Sequence, residues 1–180
     1  MKKFKVLVTG GAGFIGSHLV DSLLESKNEV VVLDNFSSGK IKNLTSSSKN
    51  NLVTIIKGDI LNIKDLTKAM KGCSVVCHLA VECVRSSIKK PLFNHEVNAT
   101  GTLNTLEVAR KLGVQRFVYC SSSEIYGNTG EKLLDEDKTH YNPVTVYGSS
   151  KLVGEYYTRS YFQTYGLPVV IVRPFNTYGP

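Results

Sequence analysis

Short apolar runs and longer amphipathic stretches alternate along this chain. Residues 4–8 form an apolar run halted at Thr9-Gly10-Gly11, the pattern of a strand buried in a parallel sheet. From Phe14 to about Lys27, Ile15, Leu19, Leu23 and Leu24 recur at helical spacing. Residues 29–33 read as a second buried strand, ended by Asp34 and Asn35. A polar loop rich in serine and lysine runs from Phe36 to about Asn51. Residues 52–56 predict a strand, 63–70 a short helix and 74–79 another strand. Pro91 opens a long helical pattern carried by Val97, Leu103, Leu106 and Ala109 and stopped at Gly113. Residues 116–120 predict a strand, 146–165 a helix and 168–172 a sixth strand. Such alternation predicts an α/β fold with an open parallel sheet covered on both faces.

At 180 residues the chain buries enough surface to need no disulfide or metal staple. A 42% hydrophobic and 21% charged composition excludes global disorder. No apolar run approaches the roughly 18 residues of a membrane span, so no membrane partner is expected. The N-terminus enters the first strand without a signal-peptide core, which makes a cytosolic location the expectation. A net charge of +7 favours anionic partners or simply a lysine-rich soluble surface. Lys2, Lys3, Lys40, Lys42, Lys49, Lys64, Lys68 and Lys71 are scattered, without interleaved aromatics, so nucleic acid is not the expected partner. Cys73, Cys77, Cys83 and Cys120 lack paired close spacing, so neither a metal site nor a disulfide is expected. Cys77 and Cys120 sit in apolar runs and read as small buried hydrophobes.

Gly10, Gly13 and Gly16 form a G-x-x-G-x-x-G turn between the first strand and the first helix. Gly10 permits the tight turn, Gly13 lets the backbone approach a pyrophosphate, and Gly16 lets helix and strand pack closely. The helix that follows, beginning at Phe14 and Ile15, offers free N–H groups and a partial positive charge to phosphates. Asp34, at the end of the second strand, is placed to accept adenosine-ribose hydroxyls and to repel a 2′-phosphate, which favours NAD over NADP. Lys40 leaves the second cofactor open, as a cation able to accommodate that phosphate. Asp59 and Ile60, after the third strand, are adenine-contact candidates or a solvated loop.

Tyr147 and Lys151 lie four residues apart, on one helix face. A free tyrosine titrates near 10 and is a poor base at neutral pH, but a neighbouring ammonium favours the phenolate. Such pairs occur on many exposed helices, and this one gains meaning from Ser121-Ser122-Ser123-Glu124 beyond the fifth strand. Ligands of open parallel sheets bind beyond the carboxyl ends of the strands. A serine there can bond both a substrate hydroxyl and the tyrosine, or serve ordinary turn chemistry.

Together these segments resemble the extended short-chain dehydrogenase/reductase family, the NAD-dependent nucleotide-sugar epimerases and dehydratases. The matches are TGGAGFIG at 9–16, DNFSSGK at 34–40, GDI at 58–60 and HLA at 78–80. NATGT at 98–102, SSSEIYG at 121–127, YGSSK at 147–151 and RPFNTYGP at 173–180 continue them in order. The resemblance implies a Rossmann-type fold with NAD as cofactor. It makes Tyr147 the catalytic base, Lys151 its partner and a holder of the nicotinamide ribose, and Ser122 the catalytic serine. It further implies pyrophosphate contacts at Gly10, Gly13, Phe14, Ile15 and Gly16, and adenosine-ribose contacts at Asp34, Asn35 and Lys40. Asp59 and Ile60 face the adenine; Leu79, Ala80, Asn98 and Pro174 belong to the cofactor site; Ser123 and Asn176, with Ser122, meet the nucleotide sugar.

The implied reaction oxidises the sugar at C4. Tyr147, aided by Ser122, takes the hydroxyl proton while hydride leaves C4, giving a 4-keto sugar. Return of hydride to the other face gives 4-epimerisation, elimination gives a dehydratase, and loss of carboxylate gives a decarboxylase. Dehydratases of the family carry an Asp–Glu pair where this chain has Ser123 and Glu124, which counts against elimination. Epimerase and decarboxylase stay open, with Glu124 in the catalytic set. Val81 and Glu82 depart from the family's usual second alanine after HLA. The family's substrate-binding portion follows the RPFNTYGP segment. Residues 1–180 are therefore expected to be the NAD-binding domain, with a non-enzymatic dinucleotide-binding module as the alternative. By the same resemblance, residues 91–113 and 146–165 would pair two chains into a homodimer.

Overall fold

The computed structural model describes residues 3–130 and 133–179. Met1, Lys2 and Pro180, which belong to the lead-in and to the last motif, lie outside the described residues. Six parallel strands, β1 (Lys5–Thr9), β2 (Glu29–Asp34), β3 (Val53–Lys57), β4 (Val75–His78), β5 (Arg116–Cys120) and β6 (Val169–Val172), form one sheet in the order β3-β2-β1-β4-β5-β6. Each strand lies within a residue or so of its expected span. Asp34 closes β2, where its backbone pairs in register with Lys57.

The helices are α1 (Phe14–Glu25), α2 (Ile63–Met70), α3 (Val84–Lys89), α4 (Pro91–His95), α5 (Gly101–Lys111) and α6 (Val146–Tyr165). Alternation along the inner strands sends Leu7, Val31 and Leu33 to one face, where they pack with Leu66, Met70, Leu106 and Phe117. Val6, Val8, Val30 and Val32 go to the other face and meet Val20, Leu24 and Leu44. Both sheet faces are thus covered, as expected of parallel strands that carry continuous apolar runs.

Three local features differ from the sequence pattern. The stretch expected as one helix from Pro91 is α4, a π-helical turn (Glu96–Thr100) and then α5, and the short α3 precedes it. Buried Asn94, just before that turn, and Asn98, within it, bond sideways to the backbone of Glu82, a tertiary demand that apolar periodicity does not register. The polar loop after Phe36 contains 3₁₀ turns at Ile41–Leu44 and Ser47–Lys49, anchored by the fully buried Leu44. Cys77 is buried as expected, whereas Cys120 is only half-buried, because it lies at the strand end where the sheet opens onto a cavity.

α6 positions the chemistry. The Thr145 hydroxyl accepts the Gly148 N–H at its start, and Gly166 ends it in the left-handed region at φ 69°. The helix lies close against β5 because position 154 is glycine. A Cβ there would overlap the hydroxyl of Tyr119, a fully buried ring whose hydroxyl donates to the Lys151 carbonyl at 3.2 Å. Gly154→Ala is expected to lower stability by about 1–3 kcal/mol, seen as a lower urea midpoint at unchanged slope. Adding Tyr119→Phe removes the nearest overlapping atom and leaves the ring Cζ at 2.5 Å, so the double variant should lose less than the sum of the singles without recovering fully. Strict additivity would contradict this packing.

Candidate active site

At the end of β1, Gly10 turns the chain at φ 69°, and a Cβ there would come within 2.7 Å of the Ala80 nitrogen. A Cβ at Gly16 would strike the Gly10 carbonyl, so the first turn of α1 sits directly on the strand end. Gly13 is the N-cap in extended conformation and offers no side chain to the helix. The first-turn N–H groups therefore face the groove without a capping side chain, ready for an anion.

Beyond β2, Asp34 is nearly buried. One carboxylate oxygen accepts from Ala12 N at 2.9 Å and the other from Phe36 N at 2.8 Å. Both bonds fix the carboxylate in the wall of a groove that also contains Gly10, Gly13, Asn35, Asp59, Ile60, Leu79 and Ala80. Asn35 donates to Asp59 at 3.0 Å across the groove. Lys40 departs from its expected place: it is exposed and outside the groove lining, and its backbone N–H donates to the Ala12 carbonyl. No lysine or arginine lines this groove among the described residues, so a 2′-phosphate would meet Asp34 and no countercharge.

Asn98 also acts differently from expectation. Its amide is consumed by Glu82 N, Glu82 O and Asn94 Oδ1, at 2.8–3.0 Å. It holds the groove wall from behind and does not itself line the groove. The same wall is held by a relay that sequence reading missed. The Thr102 hydroxyl gives its proton to the Asn98 carbonyl at 2.6 Å, so toward His78 it accepts and Nε2 carries the ring proton. His78 Nδ1 then accepts from the Thr9 hydroxyl at 2.8 Å, and that oxygen accepts the N–H groups of Leu79 and Ala80. Burial, with a smaller push from the Lys151 charge, holds His78 down to about 3.

The groove opens into a cavity of about 450 Å³ that shares Gly10, Gly13 and Leu79 with it. Phe14, Ile15, Gly16, Ser122, Ser123, Glu124, Tyr147, Lys151, Pro174 and Asn176 all line this cavity, so most of the expected site residues meet in one place. Lys151, 4% exposed, donates from Nζ to the Cys120 carbonyl at 2.7 Å, and burial lowers it to about 8. The Tyr147 phenol contradicts the expected lowering. Burial pushes it above its ordinary value, and only the hydrogen bond of the Ser122 hydroxyl pulls it back. Nearby Cys120, Glu124 and Cys83 add to the upward push. Ser122 also caps the turn Ser123–Tyr126 by accepting the Glu124 N–H at 3.2 Å.

One further cluster, unread in the sequence, fastens the cavity walls together. Arg173 makes a two-pronged bond to Glu155 at 2.9 and 2.8 Å, and donates to the hydroxyls of Tyr126 and Tyr141 at 2.7 Å each. Glu155 is fully buried one turn beyond Lys151, and Arg173 directly precedes Pro174. Its signal was the i+4 step after Lys151, visible only once a partner for that glutamate is known.

A doubly wound sheet with a glycine turn, a β2 acid and a Ser–Tyr–Lys set defines a dinucleotide-dependent dehydrogenase-type site. The chain belongs to the NAD dependent epimerase/dehydratase family, which matches residues 6–180. It is 39% identical over 178 residues to a putative UDP-glucose 4-epimerase of Methanocaldococcus jannaschii, covering 97% of this chain and 56% of the relative. It is similar to a UDP-N-acetylglucosamine 4-epimerase of Methanobrevibacter ruminantium M1, solved with UDP-N-acetylmuramic acid, with TM-score 0.93, 37% identity and coverage of 100% and 57%. A dTDP-glucose 4,6-dehydratase of Streptomyces venezuelae, solved with NAD and TYD, gives TM-score 0.93, 36% identity and coverage of 98% and 57%. The chain thus spans a little over half the length of these relatives.

Two outcomes test the buried groups. His78 favours its neutral form in the fold, so its contribution is complete above about pH 6.5 and is lost as pH falls toward 3. The stability gap between wild type and His78→Gln should shrink below pH 6.5 by about 1.4 kcal/mol per unit, read from urea midpoints; a pH-independent gap would refute the buried neutral ring. Arg173→Met leaves the buried Glu155 charge with only the longer, 3.5 Å contact to the more exposed Arg159 and should cost up to about 3–5 kcal/mol. Glu155→Met combined with it should restore most of that loss, whereas an equally unstable double variant would contradict the pairing.

Proposed function

We propose that residues 1–180 are the NAD-binding portion of a nucleotide-sugar 4-epimerase, acting on a UDP-hexose or UDP-hexuronate. The observation that carries this reading is the convergence of Ser122, Tyr147 and Lys151 in one cavity continuous with the Asp34 groove. An extended dinucleotide fits that path. Its adenosine end would lie at Asp34, Asn35, Asp59 and Ile60, its pyrophosphate over Gly10 to Gly16, and its other ribose beside Tyr147 and Lys151.

When bound, the oxidised coenzyme supplies the hydride acceptor and a positive charge beside the phenol. Lys151, anchored by Cys120, keeps two N–H bonds for ribose hydroxyls and, titrating near 8, is still an ammonium at neutral pH. Ser122 donates toward the Tyr147 oxygen and orients the sugar hydroxyl. Tyr147 receives the proton from the C4 hydroxyl and returns it after the keto sugar has turned. In the ligand-free site burial keeps the phenol protonated, so the base forms only when positive charge is placed next to it. Glu124 stands at the sugar side without the aspartate that would assist elimination, which supports epimerisation over dehydration.

Ile88, Leu92, Phe93, Tyr156 and Phe162 are large exposed apolar residues on α3, α4 and α6, and we propose that two chains associate through them. Their exposure supports that reading.

The experiment is NAD binding by the chain, and turnover of UDP-glucose and UDP-glucuronate, read by NMR, in a form extended to the length of its longer relatives. The expected outcome is interconversion of 4-epimers with no net NADH, lost by about 10²–10⁴-fold in Tyr147→Phe while NAD binding persists. Release of carbon dioxide or water would replace the epimerase by a decarboxylase or dehydratase. NAD binding with no turnover would leave a dinucleotide-binding module, and full activity of Tyr147→Phe would remove Tyr147 as the base.

A further inference from the structure

Among the described residues, the Ser121 hydroxyl is the one buried side-chain polar atom with no hydrogen-bond partner. The residue is 2% exposed and yet lines the 450 Å³ cavity. Its backbone N–H donates to Val172 O at 2.8 Å, extending the β5–β6 ladder, which fixes the residue at the strand end. A buried hydroxyl without a partner costs on the order of 1–3 kcal/mol, a penalty that a ligand offering an acceptor would relieve.

The position of Ser121 indicates which part of a ligand that is. The residue follows Cys120, whose carbonyl anchors Lys151, and precedes Ser122. It does not line the Asp34 groove, so it lies away from the adenosine end. We propose that the Ser121 hydroxyl is a coenzyme-binding group that hydrogen-bonds the nicotinamide-riboside end of the dinucleotide. The assignment rests on the coenzyme reading above and adds a residue to it. Ribose hydroxyls and a carboxamide both present acceptors to a donor held at the floor of the cavity. The orphaned hydroxyl is then a group held ready for its ligand at a cost to the ligand-free fold.

The test compares wild type with Ser121→Ala in three measurements: thermal unfolding without ligand, NAD affinity, and affinity for ADP, which lacks the whole nicotinamide riboside. Without ligand the variant should be at least as stable as wild type, because no hydrogen bond is removed. NAD should bind on the order of tenfold more weakly to the variant, while ADP affinity stays close to that of wild type. Unchanged NAD affinity, with wild type binding normally, overturns the assignment alone. A destabilised ligand-free variant also overturns it, since the hydroxyl would then already be partnered. Equal losses for NAD and ADP would move the contact away from the nicotinamide riboside and overturn it too. Failure of wild type to bind NAD overturns the coenzyme reading itself.

Discussion

Every functional group of this protein depends on one constraint, that all six strands run the same way. A parallel sheet delivers every strand's carboxyl end to one edge, and the loops that leave that edge can meet. Here the edge collects the glycine turn after β1, Asp34 at the end of β2, Asp59 after β3, Leu79 and Ala80 after β4, Ser121 to Glu124 after β5 and Pro174 after β6. None of these segments is near another in sequence. The strand order places β1 and β4 side by side at the centre, so the groove forms where successive crossovers diverge.

The edge is held by buried polar chemistry, because apolar packing alone does not fix hydrogen-bonding groups in direction. Thr9, His78, Thr102 and Asn98 pass hydrogen bonds from the glycine turn to the loop at Glu82. Arg173 and Glu155 do the same between α6, the turn ending at Tyr126 and the segment entering Pro174. Burial also sets the resting state of the chemistry. It raises the Tyr147 phenol and lowers the Lys151 ammonium, so both groups lean toward neutrality until a charged ligand arrives.

Much of the fold was legible because its signals are local. Apolar runs of four to six residues located all the strands, and the glycine spacing with Asp34 located the groove. What stayed hidden was long-range. The π-helical turn at Glu96–Thr100 answers to amides that bond the Glu82 backbone, and Asn98 consequently supports the groove from behind. The serine and lysine composition of the loop after Phe36 concealed Leu44, which is completely buried in the core cluster that contains Val20 and Leu24 of α1. Tyr147 and Lys151 were legible as a pair by their spacing. The sign of the phenol's shift was not, because it depends on how much of the ring the fold covers.

The two halves of the site are built on different physics, and this accounts for what each can discriminate. The groove at Asp34 is lined by glycines, carboxylates, the neutral polar side chains of Asn35, Ser37 and Ser38 and apolar residues, with no side-chain cation among its described lining residues. Pyrophosphate binding there rests on oriented dipoles, which fall off within a helical turn and select by fit. The sugar-side cavity instead gathers a buried lysine, a phenol, hydroxyls and a glutamate, groups whose charge states respond to one another. The groove is thus set by shape, and the cavity by groups whose charge states depend on burial and neighbours. Joining the two along one continuous wall, from Gly10 through Leu79, lets occupation of the first half place positive charge in the second, which the buried phenol requires in order to act as a base.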